Sequence, residues 1–561
     1  MSDSLAALPR RRPERFAVER DTVRYLPAVR RLWPAFVLLI DGALLVVALY
    51  LPWQRVSVDF SAFNDQGGSV GALLHVFGGS NPLEGWDSGV AAAAALAALL
   101  LVGLSAVAFA RPHLASRLPL GRCAFAAAYF EVAVAADTRS RGMLIFGGDE
   151  SAAVDVHFAY GAYVGLAAAA CVVLAASLLR RAELQEYRSP SAAGAVVLAS
   201  GLLVTFLLPW ERFPTQAENT GISAPAAQVA AVVAIFILGA WSPRAGYGAI
   251  VRPGLAVVAA LFTVAAFNAT TFPFDRAYGA WIAIGIATAL VVFSLQGGIR
   301  RPDLERIPWT RLVLVAAGLL LVASLFLPWQ EFCYPPEAFG PTAGKCVSPN
   351  GWVNESGTGA AVLAIVLIVS ALARLRRAPP RAELAAGIAL LVATLGFQLA
   401  NGGPFGLDYG FWIGAVCTGF ILVLAFVGLG RPVLDVRLAP IALCLTYLAI
   451  SVPTWSGVLG FDAPRFFWFA PFSWITVVGA LLALALIRLW FERRPDPRPL
   501  FLLPAVIAVL ATLDLVRAET ITWGGGIVLG LCALLALFAW AEHARALGQL
   551  QVPEILRVDR L

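Results

Sequence analysis

One short phrase recurs along the chain: Leu51, Pro52, Trp53, Gln54, then Leu208, Pro209, Trp210, Glu211, then Leu327, Pro328, Trp329, Gln330, with a worn fourth copy at Val452, Pro453, Thr454, Trp455. Each copy closes a long apolar run. Each is followed by a polar loop, a second apolar run, an arginine-rich turn and two further apolar runs. A chain written this way folds as one four-helix unit used four times.

The runs are unbroken and close to the ~20 residues that cross a bilayer, without the period-two alternation of barrel strands. With 60% hydrophobic and only 14% charged residues, the chain lies outside soluble composition. The expected fold class is an all-α polytopic integral membrane protein of about sixteen transmembrane helices in four parallel four-helix repeats. The expected organisation is a basic arm at 1–33, repeat one at 34–182, repeat two at 183–299, repeat three at 300–430, repeat four at 431–547 and a tail at 548–561.

Sixteen is even, so both termini share a side, and arginine decides which. Segments on one side carry 33 of the 41 Lys and Arg, eight of them in the arm at Arg10, Arg11, Arg12, Arg15, Arg20, Arg24, Arg30 and Arg31. That side is cytoplasmic, and the opposite side holds only Arg55, Arg139, Arg141, Arg212, Arg276, Lys345, Arg465 and Arg517. The expectation is a multi-pass protein of the bacterial cytoplasmic (inner) membrane with both termini inside. The basic inner rim suits anionic lipid headgroups rather than nucleic acid. The end of the arm mixes arginine with Tyr25, Leu26, Leu32 and Trp33. It reads either as an interfacial segment or as a disordered basic tail that fixes orientation.

A second landmark opens the fourth helix of each unit: Tyr160, Gly161, Ala162, Tyr163; Tyr278, Gly279, Ala280, Trp281; Tyr409, Gly410, Phe411, Trp412; and a worn Trp523, Gly524. Tyr160, Tyr278 and Tyr409 suit the interfacial aromatic belt, and the glycine beside each permits close helix approach. Trp53, Trp210 and Trp329 read the same way: proline stops the helix and tryptophan anchors it at the headgroups. Four spans per unit give successive copies one orientation, so the inverted repeats of alternating access are excluded. A ring around a central axis and a side-by-side row both remain open.

The two landmarks together resemble the small four-helix membrane proteins of unknown function found in high-GC actinobacteria, here joined four times. Forty Arg against Lys345 alone fits such a source. The resemblance implies the four-helix unit and carries no activity with it.

Ionisable residues inside spans are costly and mark candidate sites. Asp41 lies mid-span in the first helix. Glu131, Asn268, Gln398 and Asp514 place one polar group towards the outer end of helix three in each unit, with Arg517 one turn beyond Asp514. In a ring they form a polar collar for a cation; in a scaffold they are interhelical hydrogen-bonding groups. The first repeat also has acidic outer loops, in which His75, Asp155 and His157 are candidates for a divalent metal. Cys333 and Cys346 share one outer loop, where an oxidising exterior favours a disulfide.

Metalloprotease, P-loop and nucleophile-elbow signatures are missing, so no catalytic residue and no cofactor is assigned. The first reading is a non-enzymatic scaffold or accessory subunit that presents outer loops to a membrane-protein partner. The alternatives are a transporter or channel for a cation or small solute between the repeats, and a membrane-embedded lipid or cell-envelope enzyme.

Overall fold

The computed structural model describes residues 18–58, 83–85, 88–111, 118–146, 154–180, 190–212, 218–240, 251–269, 275–295, 309–333, 346–353, 355–372, 406–428, 454–458, 461–466 and 520–521, with isolated positions at 530, 533, 534 and 537. Among the described helices, Ala91–Ala110, Tyr160–Ser177, Val251–Ala269 and Tyr278–Leu295 are long and apolar enough to cross a membrane. Six more apolar helical stretches are shorter. The chain is a multi-pass helical membrane protein.

Helices α1 (Val18–Ala48), α2 (Ala91–Ala110), α3 (Leu120–Phe146) and α4 (Tyr160–Arg180) close a ring in which each packs on the next and α4 returns to α1. Helices α5 (Pro190–Phe206), α6 (Pro225–Ala240), α7 (Val251–Ala269) and α8 (Tyr278–Leu295) repeat that ring. Helix α9 (Trp309–Ser324) packs on α10 (Glu355–Leu372) and on α11 (Tyr409–Gly428) in the same relation. Proline occupies the first position of α5 and α6, where a missing N–H costs nothing.

Packing explains the alanine-rich composition. Bundle interiors are lined by small residues such as Ala91, Ala95, Ala199, Ala230, Ala259, Ala283 and Ala361, all buried, while Val204, Phe236, Val257, Leu320, Val416 and Val423 are exposed. Lipid removes the drive to hide large apolar groups, so helices associate through small residues that let backbones approach.

Each bundle carries a small antiparallel sheet at the end where its first helix stops. In the first, β1 (Pro52–Val58) is central between β2 (Leu83–Glu84) and β3 (Val154–Phe158). The second places β4 (Pro209–Arg212) between β5 (Glu218–Thr220) and β6 (Asp275–Arg276). The third places β7 (Gln330–Cys333) between β8 (Cys346–Val347) and β9 (Gly406–Leu407). Around the worn fourth phrase, β10 (Thr454–Val458) again lies between β11 (Phe461–Phe466) and β12 (Thr520–Ile521). The strand after helix one therefore pairs with the chain entering helix two and the chain entering helix four.

Helix α1 runs unbroken from Val18, so the last part of the basic arm is helical and leads into the apolar stretch Trp33–Ala48. Helix α3 continues to Phe146, with Asp137 and Thr138 buried and bonded within it.

Candidate functional site

The recurring phrase forms a lock between bundle and sheet. As α1 ends, the Ala48 carbonyl accepts the Leu51 N–H at 3.0 Å and the Trp53 indole N–H at 2.7 Å. The Thr205 carbonyl takes Leu208 and Trp210, and the Ser324 carbonyl takes Leu327 and Trp329, at like distances. Carbonyls left over at a helix end are satisfied by a ring five residues on. The indole turns back into the bundle, so Trp53, Trp210 and Trp329 are 0–2% exposed. They are not interfacial anchors, which corrects the sequence expectation; an indole that caps its own helix gains more inside than at the headgroups.

The second landmark completes the lock. The carbonyls of Trp53, Trp210 and Trp329 accept the N–H of Ala159, Ala277 and Asp408, next to the Tyr-Gly pair. A β-carbon at Gly161, Gly279 or Gly410 would collide with the carbonyl oxygen of Pro52, Pro209 or Pro328. A third glycine, not singled out from sequence, closes the other side of the ring: Gly85, Gly221 and Gly351 each lie against the indole of their own bundle. The legible signal is a glycine four to six residues before the second helix of each of the three described bundles. Tyr160, Tyr278 and Tyr409 are about half exposed.

The first bundle departs from the others inside. Glu131 on α3 is 1% exposed, and its Oε1 has no hydrogen-bond partner. A β-carbon on Gly165 of α4 would fall 2.5 Å from that oxygen and 2.8 Å from the Trp53 ring, so carboxyl and indole share the space that glycine leaves. Gln54, beside Trp53, is 1% exposed with both amide atoms unpartnered, and Asp41 Oδ2 and Ser105 Oγ are buried without partners.

Burial sets the register of the third helices. Phe130 and Phe262 are buried, Val132 and Val264 face outward, and Ala133 and Ala265 are buried again. Glu131 therefore corresponds to Thr263, whose hydroxyl bonds the Ala259 carbonyl at 2.8 Å, and not to Asn268. Asn268 is half-buried and its amide donates to the Val264 carbonyl of its own helix at 2.8 Å. Of the expected collar, Glu131 and Asn268 therefore do not occupy equivalent positions; the outer loop before helix four is longer in the first repeat than in the second. Gln398, Asp514 and Arg517 lie outside the described residues, as does His75.

Asp155 and His157 both lie on β3, opposite Ser57 and Arg55, and the His157 side chain is exposed. Among the described residues no group of three His, Cys, Asp or Glu is placed to hold a metal. The expected Cys333–Cys346 disulfide is corrected to a narrower finding. No two described cysteine side chains lie at bonding distance, and Cys123, Cys171 and Cys417 are free. What is described is a backbone register that sets Cys333 directly opposite Cys346, with Cys346 not a free thiol.

Asp137 is structural. Its Oδ2 accepts the Ser88 hydroxyl at 2.7 Å and the Gly89 N–H at 3.0 Å, at the start of α2. Between bundles, Gln228 of α6 donates to the Gly89 carbonyl at 2.9 Å, Tyr129 of α3 to the Leu203 carbonyl at 2.9 Å, and Asn350 to the Asn268 carbonyl at 2.9 Å.

Comparison with known proteins returned no matching family model, no matching curated protein and no matching solved structure.

Proposed function

We propose that this protein is a membrane scaffold or accessory subunit: four like bundles in tandem, sixteen helices in all, that hold four small sheets at the outer surface for a membrane-protein partner. The observation that carries this reading is the sheet itself, which recurs with one strand order in four places. Three of those sheets are tied to their bundle by a buried tryptophan. Rigid elements position a presented surface better than free loops. The arginine distribution supports a bacterial inner-membrane location with both termini inside and anionic lipid at the inner rim. The landmark phrases support descent from actinobacterial four-helix units.

The test is a photoreactive side chain placed in living cells at exposed strand positions Arg55, Arg212 and Glu331, and at Arg111 on the other side. The scaffold reading expects an adduct of one defined mass from strand positions and none from position 111. Adducts scattered in mass and equal on both sides overturn it.

One observation favours a second reading, transport of a cation: the unpartnered Asp41 and Glu131 oxygens inside the first bundle. Reconstituted vesicles showing cation flux that Glu131→Gln abolishes would establish that reading. Vesicles no leakier than protein-free ones would sink it.

A further inference from the structure

A buried carboxyl oxygen without a partner needs an explanation, since an unpaired charge in a low-dielectric interior costs several kcal/mol. Glu131 is such a group, and the surrounding residues show it is not a packing accident. In the second bundle the corresponding position is Thr263, which satisfies itself on its own helix. The fourth-helix position facing it is Ala283 there, fully buried, but Gly165 here. The third bundle has the same glycine, Gly414, against Trp329; in the first bundle the space beside the ring also holds a carboxyl.

Nothing in the described interior neutralises it. Among the described residues, the buried titratable groups on the neighbouring helices are Asp41 on α1 and Tyr129 and Asp137 on α3 itself, none of them basic. Arg122 and Cys123 of α3 are half-buried, and Arg139 of α3 and Tyr160, Tyr163 and Cys171 of α4 are exposed. Helix α2 and the described part of α6 carry no charged residue, and those of β1 and β3 whose side chains are described, Arg55 and His157, are exposed. Tyr129 is committed to the Leu203 carbonyl and Asp137 to Ser88 and Gly89. The Gln54 amide, which follows Trp53 in the chain, is equally buried and has no partner among the described residues. An unpartnered carboxylate oxygen is hard-cation chemistry.

We propose that Glu131 is a monovalent-cation site of the first bundle, occupied by a proton or by sodium, and that its contact with Trp53 joins occupancy to the lock beneath β1. A bound cation removes the uncompensated charge.

The test uses the full chain in lipid nanodiscs and a hydrophobic carbodiimide. The reagent adds across a protonated carboxyl to give a stable N-acylurea, with no leaving group, and peptide mass spectrometry locates it. Glu131 is expected to label, and Glu131→Gln removes that label. If sodium is the ligand, sodium chloride at about ten times its Kd lowers labelling about tenfold relative to choline chloride. If the proton is the ligand, sodium has no effect and labelling falls as pH rises. Either result supports the site and names the cation. Thermal unfolding is measured in parallel, because the reagent must reach the group: a midpoint that sodium or pH moves in the wild type and not in Glu131→Gln also supports it. Absence of label together with identical midpoint responses in both proteins overturns it. These readouts concern occupancy, so their failure leaves the scaffold reading standing.

Discussion

A β-carbon on Gly161 would fall 2.6 Å from the Pro52 carbonyl oxygen and 2.8 Å from the Leu51 side chain. Gly279 stands in the same relation to Pro209, and Gly410 to Pro328, where the Gly410 N–H also donates to the carbonyl at 2.9 Å. The two landmarks of the repeat are therefore one contact. The obstructing atom is backbone, which cannot swing aside, so Gly279→Ala should cost about 1–3 kcal/mol. Gly285→Ala, on the same helix with nothing within 4 Å, should instead stabilise by roughly 0.5–1 kcal/mol. Thermal unfolding of the two variants in detergent checks this, and equal midpoints would remove the lock.

Each lock tryptophan contributes a hydrogen bond and a buried ring. Trp53→Phe, Trp210→Phe and Trp329→Phe should each lose about 2–4 kcal/mol, from the vacated volume and the unmet carbonyl capacity. Trp281 and Trp412 are more than half exposed, and their replacement by Phe should stay within about 0.5 kcal/mol. Quenching by brominated lipid separates the two classes independently: Trp281 and Trp412 should be quenched, and the lock residues protected.

Asp137 is 0% exposed and anchors the start of α2 through Ser88 and Gly89. Asp137→Ala strands a buried hydroxyl and a buried N–H, so a loss of about 2–3 kcal/mol is expected. Asp137→Asn keeps an acceptor but gives up the charge near a helix N-terminus, and should lose roughly 1 kcal/mol. Chemical denaturation of both variants reads the order, and a neutral Asp137→Ala would show that the pair of bonds does not hold α2.

The sequence made the bundles legible because periodic apolar runs and arginine placement answer to the bilayer directly. The sheets escaped notice because strands of two to seven residues, each bonded to a distant segment, leave no local pattern. Trp53 was misassigned for a related reason. A tryptophan after a helix-ending proline looks the same whether its ring faces headgroups or folds back on a carbonyl, and only the glycine at 161 distinguishes them. Glu131 was found by its charge, but its supposed equivalence to Asn268 came from counting across loops of unequal length. Burial of Phe130 and Phe262 gives the register that counting missed.

Successive bundles meet through one repeated arrangement. Helix α3 packs on β5, on the Gly221–Ser223 turn and on α6, and α7 packs on the corresponding Gly351–Val353 turn of the third bundle. Phe262 meets Trp352 edge to face at 5.7 Å across the second of these interfaces. The interface is head to tail, the kind that closes a ring or extends a row. Tyr129→Phe acts on the first interface and Asn350→Ala on the second, and each removes a bond to a backbone carbonyl worth about 1 kcal/mol. The two share no partner, so their effects should add within about 0.5 kcal/mol. Gln228→Ala and Tyr129→Phe act on the same interface and should couple beyond that margin. A double-mutant cycle in denaturant decides it: additivity in both pairs would mean the bundles are held by apolar contact alone, and coupling confined to the shared interface would confirm that these polar bonds fix how one bundle seats on the next.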